Sequence, residues 1–236
     1  VSADALHAKW LEHLKENLIE NSNGVYTDKN QKTYFIIGTE VEDNKRIHHL
    51  IYLPSLESAF ELREKVIKFG TLDCSLCGRP KLRLTAEQIA QKAEEVNGII
   101  GPAHSFTPYT GLYAHFDSVK TAYGNMADKI SFIELGLSAD THMADTIAEN
   151  HKYTYLSSSD AHSPWPNRLG REFNRIKMQQ PDYKNLVKAL KQKDDKLIAV
   201  YTGLDPREGK YHKTACIQCF TTHAHEQAKI LNWKCL

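Results

Sequence analysis

The residues able to do chemistry sit beside short β-branched runs. Gly38-Thr39-Glu40 closes one run and His48-His49 opens the next. Gly101-Pro102-Ala103-His104-Ser105 and Ser159-Asp160-Ala161-His162-Ser163 follow two others, and Glu134 lies in a fifth. Imidazole and carboxylate ligands in this mixture suit zinc, manganese or iron, and a bridging carboxylate can hold two ions at close range. Such ions acidify a bound water and neutralise the charge that develops on a phosphoryl group during in-line attack. Each residue alone has a plainer role. A strand-end Glu often anchors a loop, a lone His caps a turn, and Glu134 in Glu134-Leu135-Gly136-Leu137 also suits a packing strand. Asp160-Ala161-His162 is more specific, because its spacing puts two side chains near one mouth. Together, the five positions predict a metal site.

The elements that must position these residues are read from periodicity. Strands are expected at Tyr34–Val41, His49–Leu53, Gly98–Ala103, Ile130–Leu135, Thr154–Ser158 and Leu197–Thr202. Helices are expected at Ser55–Phe69, at Thr85–Val96, which opens with the capping-box pattern Thr85-Ala86-Glu87-Gln88, and at Asp182–Lys191. Alternation of the two predicts β-α units around a parallel sheet, in which active residues come from the C-terminal ends of strands. Six strands are too few to close a barrel of seven or eight, so strands at the N-terminal end are expected to be missing. From about Leu204 the composition turns to Pro, Gly, His and Cys, which predicts a boundary between residues 1–204 and 205–236.

The bulk numbers are those of a folded α/β chain: 236 residues, 41% hydrophobic and 25% charged. No apolar run is long enough to cross a bilayer, and no partner in a membrane is expected. A net charge of +1 argues against a protein that holds nucleic acid by overall phosphate neutralisation, so any basic grip must be local. Twelve His invite a search for metal ligands. The five Cys form two C-x-x-C pairs plus one, which suits metal in a reducing compartment and predicts the cytoplasm.

Cys216-Ile217-Gln218-Cys219 followed by Cys235 looks like a zinc ribbon whose second knuckle stops after its first Cys. His223 or His225 is the alternative fourth ligand. Cys74-Ser75-Leu76-Cys77 is read as a loop carrying two thiols.

Several stretches together resemble the PHP family, the polymerase and histidinol phosphatase type of phosphoesterase. They are Gly38-Thr39-Glu40-Val41, His49 with Leu50-Ile51-Tyr52-Leu53-Pro54, Gly101–Pro108, Glu134–Thr141 and Ser159–Pro164. Within that family the resemblance is to the endonuclease Q branch. It is carried by Gly78-Arg79-Pro80-Lys81-Leu82, by Leu169-Gly170-Arg171-Glu172-Phe173-Asn174-Arg175 and by the run from Gly203 to His212.

The resemblance implies a distorted (β/α) barrel with up to three metal ions, followed by a small zinc-binding region. Glu40 would be the bridging carboxylate, His49 and His104 would complete one ion, and Asp160 and His162 would serve the others. No counterpart of the family's N-terminal H-x-H motif is present, so the chain by itself is expected to be inactive or nearly so. Zn2+ is the implied metal, with Mg2+ or Mn2+ the alternatives in the active site. The implied substrate is DNA with deaminated bases or abasic sites, nicked 5′ of the lesion, which requires a pocket for an extruded base. Tyr109, Tyr113, Phe116 and Trp165 are candidate lining residues, and Arg168, Arg171 and Arg175 candidate phosphate grips. Two other readings are a PHP phosphatase for a small phosphorylated metabolite and a non-catalytic zinc-binding interaction module. The Arg-rich loop and the Cys-rich tail favour the polymer substrate, since a small phosphate ester needs neither.

Overall fold

The structure is a computed structural model that describes residues 6–22, 24–73, 79–191, 198–209, 212–216 and 218–235. Helix α1 (Ala8–Asn17) leads into an antiparallel ribbon of β1 (Ile19–Ser22), β2 (Val25–Thr27) and β3 (Tyr34–Phe35). Then come β4 (Ile37–Glu42), β5 (His48–Leu53) and α2 (Leu56–Val66), followed by β6 (Gly70–Thr71), β7 (Lys81–Leu82), α3 (Ala86–Glu94) and β8 (Ile99–Pro102). The chain continues through α4 (Val119–Tyr123), β9 (Phe132–Glu134), α5 (Thr141–Asp145), β10 (Thr154–Leu156) and β11 (Phe173–Ile176). It ends with α6 (Tyr183–Lys191), β12 (Ile198–Thr202), β13 (Thr214–Ala215), β14 (Thr222–His223) and α7 (His225–Ile230).

Local sequence explains the helices that frame the sheet. Ser55 caps α2 by accepting from the Ser58 amide, and Leu56, Ala59, Leu62 and Val66 bury one face at helical spacing. Thr85 and Gln88 close the expected capping box on α3, which buries Ala86, Ile89, Ala90 and Ala93. Both stripes join Val41, Ile51 and Leu53 of the sheet in one apolar cluster, each of these three at most 1% exposed. Full burial of such a side chain contributes about 1.5–3 kcal/mol, so this layer fixes the face that β4 and β5 turn toward the helices.

The expectation of a parallel sheet is corrected. Five strands run in the order β6-β7-β4-β5-β8, and the β4–β5, β5–β8 and β6–β7 pairs are antiparallel, while β4–β7 is parallel. The reason is connection length. Only residues 43–47 join β4 to β5, whereas a parallel crossover needs about a dozen or more. Asp43 closes that turn, its Oδ1 accepting from the Lys45 and Ile47 amides at 2.8 Å each. A separate parallel pair, β9–β10, carries Phe132 and Leu156 into a second apolar cluster with Ile99, Leu186 and Leu190. The described strands form several small sheets. The expected strand at 197–202 is β12, which pairs antiparallel with β11. The Cys74–Cys77 pair and Gly78 lie outside the described residues.

Candidate metal centre

Antiparallel pairing brings the C-terminal half of β4 against the start of β5. Glu42 is in register with His48 and Glu40 with Leu50, so Glu40, Glu42 and His48 share one face. The end of β8 joins them, since Pro102 pairs with His49 and the Ala103 amide donates to the His48 carbonyl at 3.0 Å. His104 thus arrives beside His48.

Glu40, His48 and His104 form a buried cluster. His48 Nδ1 lies 2.8 Å from His104 Nε2 and 3.1 Å from Glu40 Oε1, and His104 Nε2 is 3.8 Å from the same oxygen. Ligands about 2.1 Å from a shared zinc ion stand roughly 3 to 3.5 Å apart, so these atoms fit such an ion with small adjustments. His48 Nε2 is 3.2 Å from Glu42 Oε2, an arrangement in which Glu42 takes the ring N–H and leaves Nδ1 as the ligating lone pair. The remaining ring nitrogen of His104, Nδ1, is buried without a partner among the described residues.

The electrostatics agree with the geometry. Burial alone would raise the Glu40 carboxyl, but His104, His48 and Arg79 hold it well below the usual carboxylate range. Burial would lower the His104 imidazole, yet its bond to Glu40 and the charges of Glu134 and Asp160 turn the net shift upward. Glu134 is pushed up to about 7, first by burial and then by Glu40, against the opposing bond from the His104 amide. That amide donates to Glu134 Oε2 at 2.7 Å, and the Ser105 amide donates to the Glu134 carbonyl at 2.8 Å. Glu134 therefore clamps the turn that presents His104.

That turn is strained. His104 has φ +29°, and Gly136 beside it has φ +67°. A Cβ on Gly136 would stand 2.6 Å from the His104 Cβ, so only glycine fits. Asp160 also carries positive φ, +44°.

Not all the expected ligands gather here. His49 is corrected: its side chain points to the opposite face of β5, fully buried, with Nδ1 2.7 Å from the Tyr123 hydroxyl and Nε2 3.3 Å from Asp43 Oδ2. Strand alternation requires this, because His48 and His49 cannot face the same way. Asp160 is near enough to act on His104 but outside the tight cluster. His162 is 73% exposed and bonds back to the Asp160 carbonyl at 2.8 Å.

The expected aromatic and basic residues divide as well. Trp165 and Tyr109 are exposed, and the Tyr109 ring lies 6.0 Å from that of Phe220. Tyr113 stacks on Phe106 and its hydroxyl lies within hydrogen-bond reach of Glu149 and Asn150, while Phe116 packs on the core, so neither is free to line a base pocket. Arg171 Nε donates to the buried Glu172 at 2.7 Å, whereas Arg168 and Arg175 are exposed. Sequence reasoning passed over Glu42, Arg79 and His48 as a ligand; period-two alternation across a five-residue hairpin was the signal for the first and third.

A second cluster gathers Cys216, Cys219 and Cys235, whose sulfurs lie within 4.8 Å of one another. Cys219 and Cys235 are 3.5 Å apart, and His223 Nε2 is 3.7 Å from Cys235 Sγ. The β13–β14 hairpin places His223 there by pairing it with Thr214. His225 instead meets the Trp233 ring edge-on at 5.4 Å. The Cys216 carbonyl accepts from the Phe220 amide at 2.9 Å, closing a tight knuckle, and bonds from Thr221 lower the Cys219 thiol to about 6. Three thiols and an imidazole match a tetrahedral zinc site.

A comparison with solved structures decides the likeness. The fold superposes on the lesion-specific endonuclease PfuEndoQ from Pyrococcus furiosus with a TM-score of 0.86 and 46% sequence identity, covering 98% of this chain and 57% of that one. The chain is closely similar to endonuclease Q. Endonuclease Q bound to a 27-mer duplex substrate with an abasic lesion at its active site matches at TM-score 0.85 and 45% identity, over 100% of this chain and 58% of that one. An uncharacterized protein of Methanocaldococcus jannaschii is 49% identical over 190 residues, 74% of this chain and 23% of that protein. Uncharacterized protein YqxK of Bacillus subtilis is 31% identical over 224 residues, 88% of this chain and 56% of that protein. The chain thus spans between 23% and 58% of the length of these relatives. No protein-family model matches the sequence.

Proposed function

We propose that this chain carries the metal site of a DNA endonuclease that hydrolyses the phosphodiester 5′ of abasic sites and deaminated bases. The observation that carries the reading is the convergence of Glu40, His48 and His104 at one sheet end, in a chain similar to endonuclease Q throughout. In this reading the strands belong to a PHP-type barrel within residues 1–204, and residues 205–236 form a zinc-binding region.

Glu40, His48 and His104 would hold a divalent ion, with Zn2+, Mn2+ or Mg2+ as candidates; such an ion supplies Lewis acidity and an acidified water. Glu42 fixes the His48 tautomer, and Glu134 with Gly136 fixes the His104 turn. Asp160 and His162, both exposed and outside the tight cluster, would complete further ion positions. Exposed Trp165 and Tyr109 would meet the lesion, and Arg168, Arg171 and Arg175 the flanking phosphates. A structural Zn2+ would sit between Cys216, Cys219, His223 and Cys235. No helix among the described residues is long and apolar enough to cross a membrane, and a cytoplasmic location fits this reading.

The test is the affinity of the chain for a duplex with one abasic site against the same duplex undamaged, in the presence of zinc. A lesion preference of about tenfold or more is expected, while equal binding of the two duplexes contradicts the proposal. Nicking by these 236 residues alone is expected to be weak, because one ion position is built and the other ligands stand apart. Fast, chelator-sensitive nicking would refute that second statement.

A further inference from the structure

Arg79 has so far entered only as a charge beside Glu40, yet the sheet holds it against the metal cluster. The parallel β4–β7 pair sets Glu42 in register with Lys81, and the Glu42 amide donates to the Pro80 carbonyl at 2.8 Å. Two residues before each of these, Arg79 lies beside Glu40. Its Nε donates to Glu40 Oε1 at 2.6 Å, the oxygen that also faces His48 and His104.

The mode of that contact matters. A guanidinium presents five N–H donors in a planar fork, and carboxylates are commonly gripped by two of them at once. Here Glu40 takes the single Nε donor. The two terminal nitrogens of Arg79 make no hydrogen bond to any described residue, and the side chain is 21% exposed. A fork left open beside three converging metal ligands is complementary to an oxyanion that also touches the ion.

We infer that Arg79 grips a non-bridging oxygen of the scissile phosphodiester, acting with the ion held by Glu40, His48 and His104. This rests on the endonuclease reading of the same site. Charge makes the two dependent on each other. Without the ion, the Glu40 carboxylate belongs to Arg79 as its counter-ion. With the ion in place, that carboxylate is shared between two cations, and an anion bridging both restores the balance. Arg79 therefore contributes to phosphate binding chiefly when metal is present, unlike a basic residue on an open surface.

The test measures affinity for an abasic duplex whose 5′ linkage is made non-cleavable, with zinc or with chelator, for wild type, Arg79→Gln and Arg79→Lys. With zinc, Arg79→Gln is expected to weaken binding by roughly tenfold to a hundredfold, as for loss of a charged hydrogen bond, and Arg79→Lys by less. With chelator, the three proteins should bind alike, and zinc content should be unchanged by either substitution. Wild-type affinity in zinc-loaded Arg79→Gln overturns the inference. So does a loss of affinity that merely follows a loss of zinc, which would make Arg79 an orienting residue for Glu40. Should Arg79→Gln fail to fold, Arg79→Lys decides: equal affinity with zinc overturns the inference. If wild type shows no preference for the abasic duplex, it is the endonuclease reading that falls, and this inference with it.

Discussion

His48 and His104 face each other across the end of the central sheet, Nδ1 to Nε2 at 2.8 Å, although 56 positions separate them in sequence. Two imidazole nitrogens cannot both hold a proton at that distance, so at least one offers its lone pair, and the Glu40 carboxylate stands beside both.

Neighbouring histidines should respond differently to truncation. His48→Ala removes a ligand and should abolish binding of divalent metal at this site. His49→Ala removes a fully buried ring from Tyr123 and Asp43 and should cost roughly 1–3 kcal/mol of stability, with the metal ligands themselves retained. Isothermal titration and thermal melts on both variants separate the two outcomes, and the reverse pattern would restore His49 as the ligand.

Glu42 acts on the metal through His48. Glu42→Gln should lower zinc affinity about 10–100-fold while the cluster geometry and the fold persist. A variant that binds zinc as tightly as wild type would show that the His48 tautomer is set by something else.

Gly136→Ala tests the backbone beneath His104. The new Cβ meets the His104 Cβ at 2.6 Å and must adopt φ +67°, a left-handed conformation that costs roughly 1–2 kcal/mol before any clash. A lower melting temperature together with weaker metal binding is expected. An unchanged melt and unchanged affinity would mean that the turn relaxes without moving its histidine.

The loop arginines should not behave as one group. Arg168→Ala, on an exposed loop, should weaken DNA binding and reduce the salt slope by about one. Arg171→Ala leaves Glu172 buried without its ion pair and should destabilise the fold as well. Equal melts for the two variants, each with the same change in salt slope, would place both simply on phosphates.

Much of this was legible in the sequence. The capping box at Thr85 and the apolar stripes of α2 and α3 depend on local spacing, and the structure has them where the sequence predicts. Glu40 and His104 stood out because carboxylate and imidazole occur where runs of β-branched residues end. His49 was preferred to His48 because motif resemblance does not resolve a one-residue shift, whereas the alternation of side chains across a strand does. The parallel sheet was expected because helices alternate with strands, but the five-residue link from Asp43 to Ile47 decides strand direction locally. Arg79 was invisible as a site residue because its position follows from the pairing of Lys81 with Glu42, a contact between segments far apart in sequence.

The central claim is that the chain holds metal in two places, one of them in the fold that would do the chemistry. Counting bound zinc per chain by elemental analysis, in wild type, His48→Ala and Cys219→Ala, tests it most directly. The account predicts two ions in wild type, with one lost in each variant and both lost when the substitutions are combined. A single ion in wild type, retained in His48→Ala and lost only in Cys219→Ala, would contradict it and leave the chain a zinc-binding module without a catalytic centre.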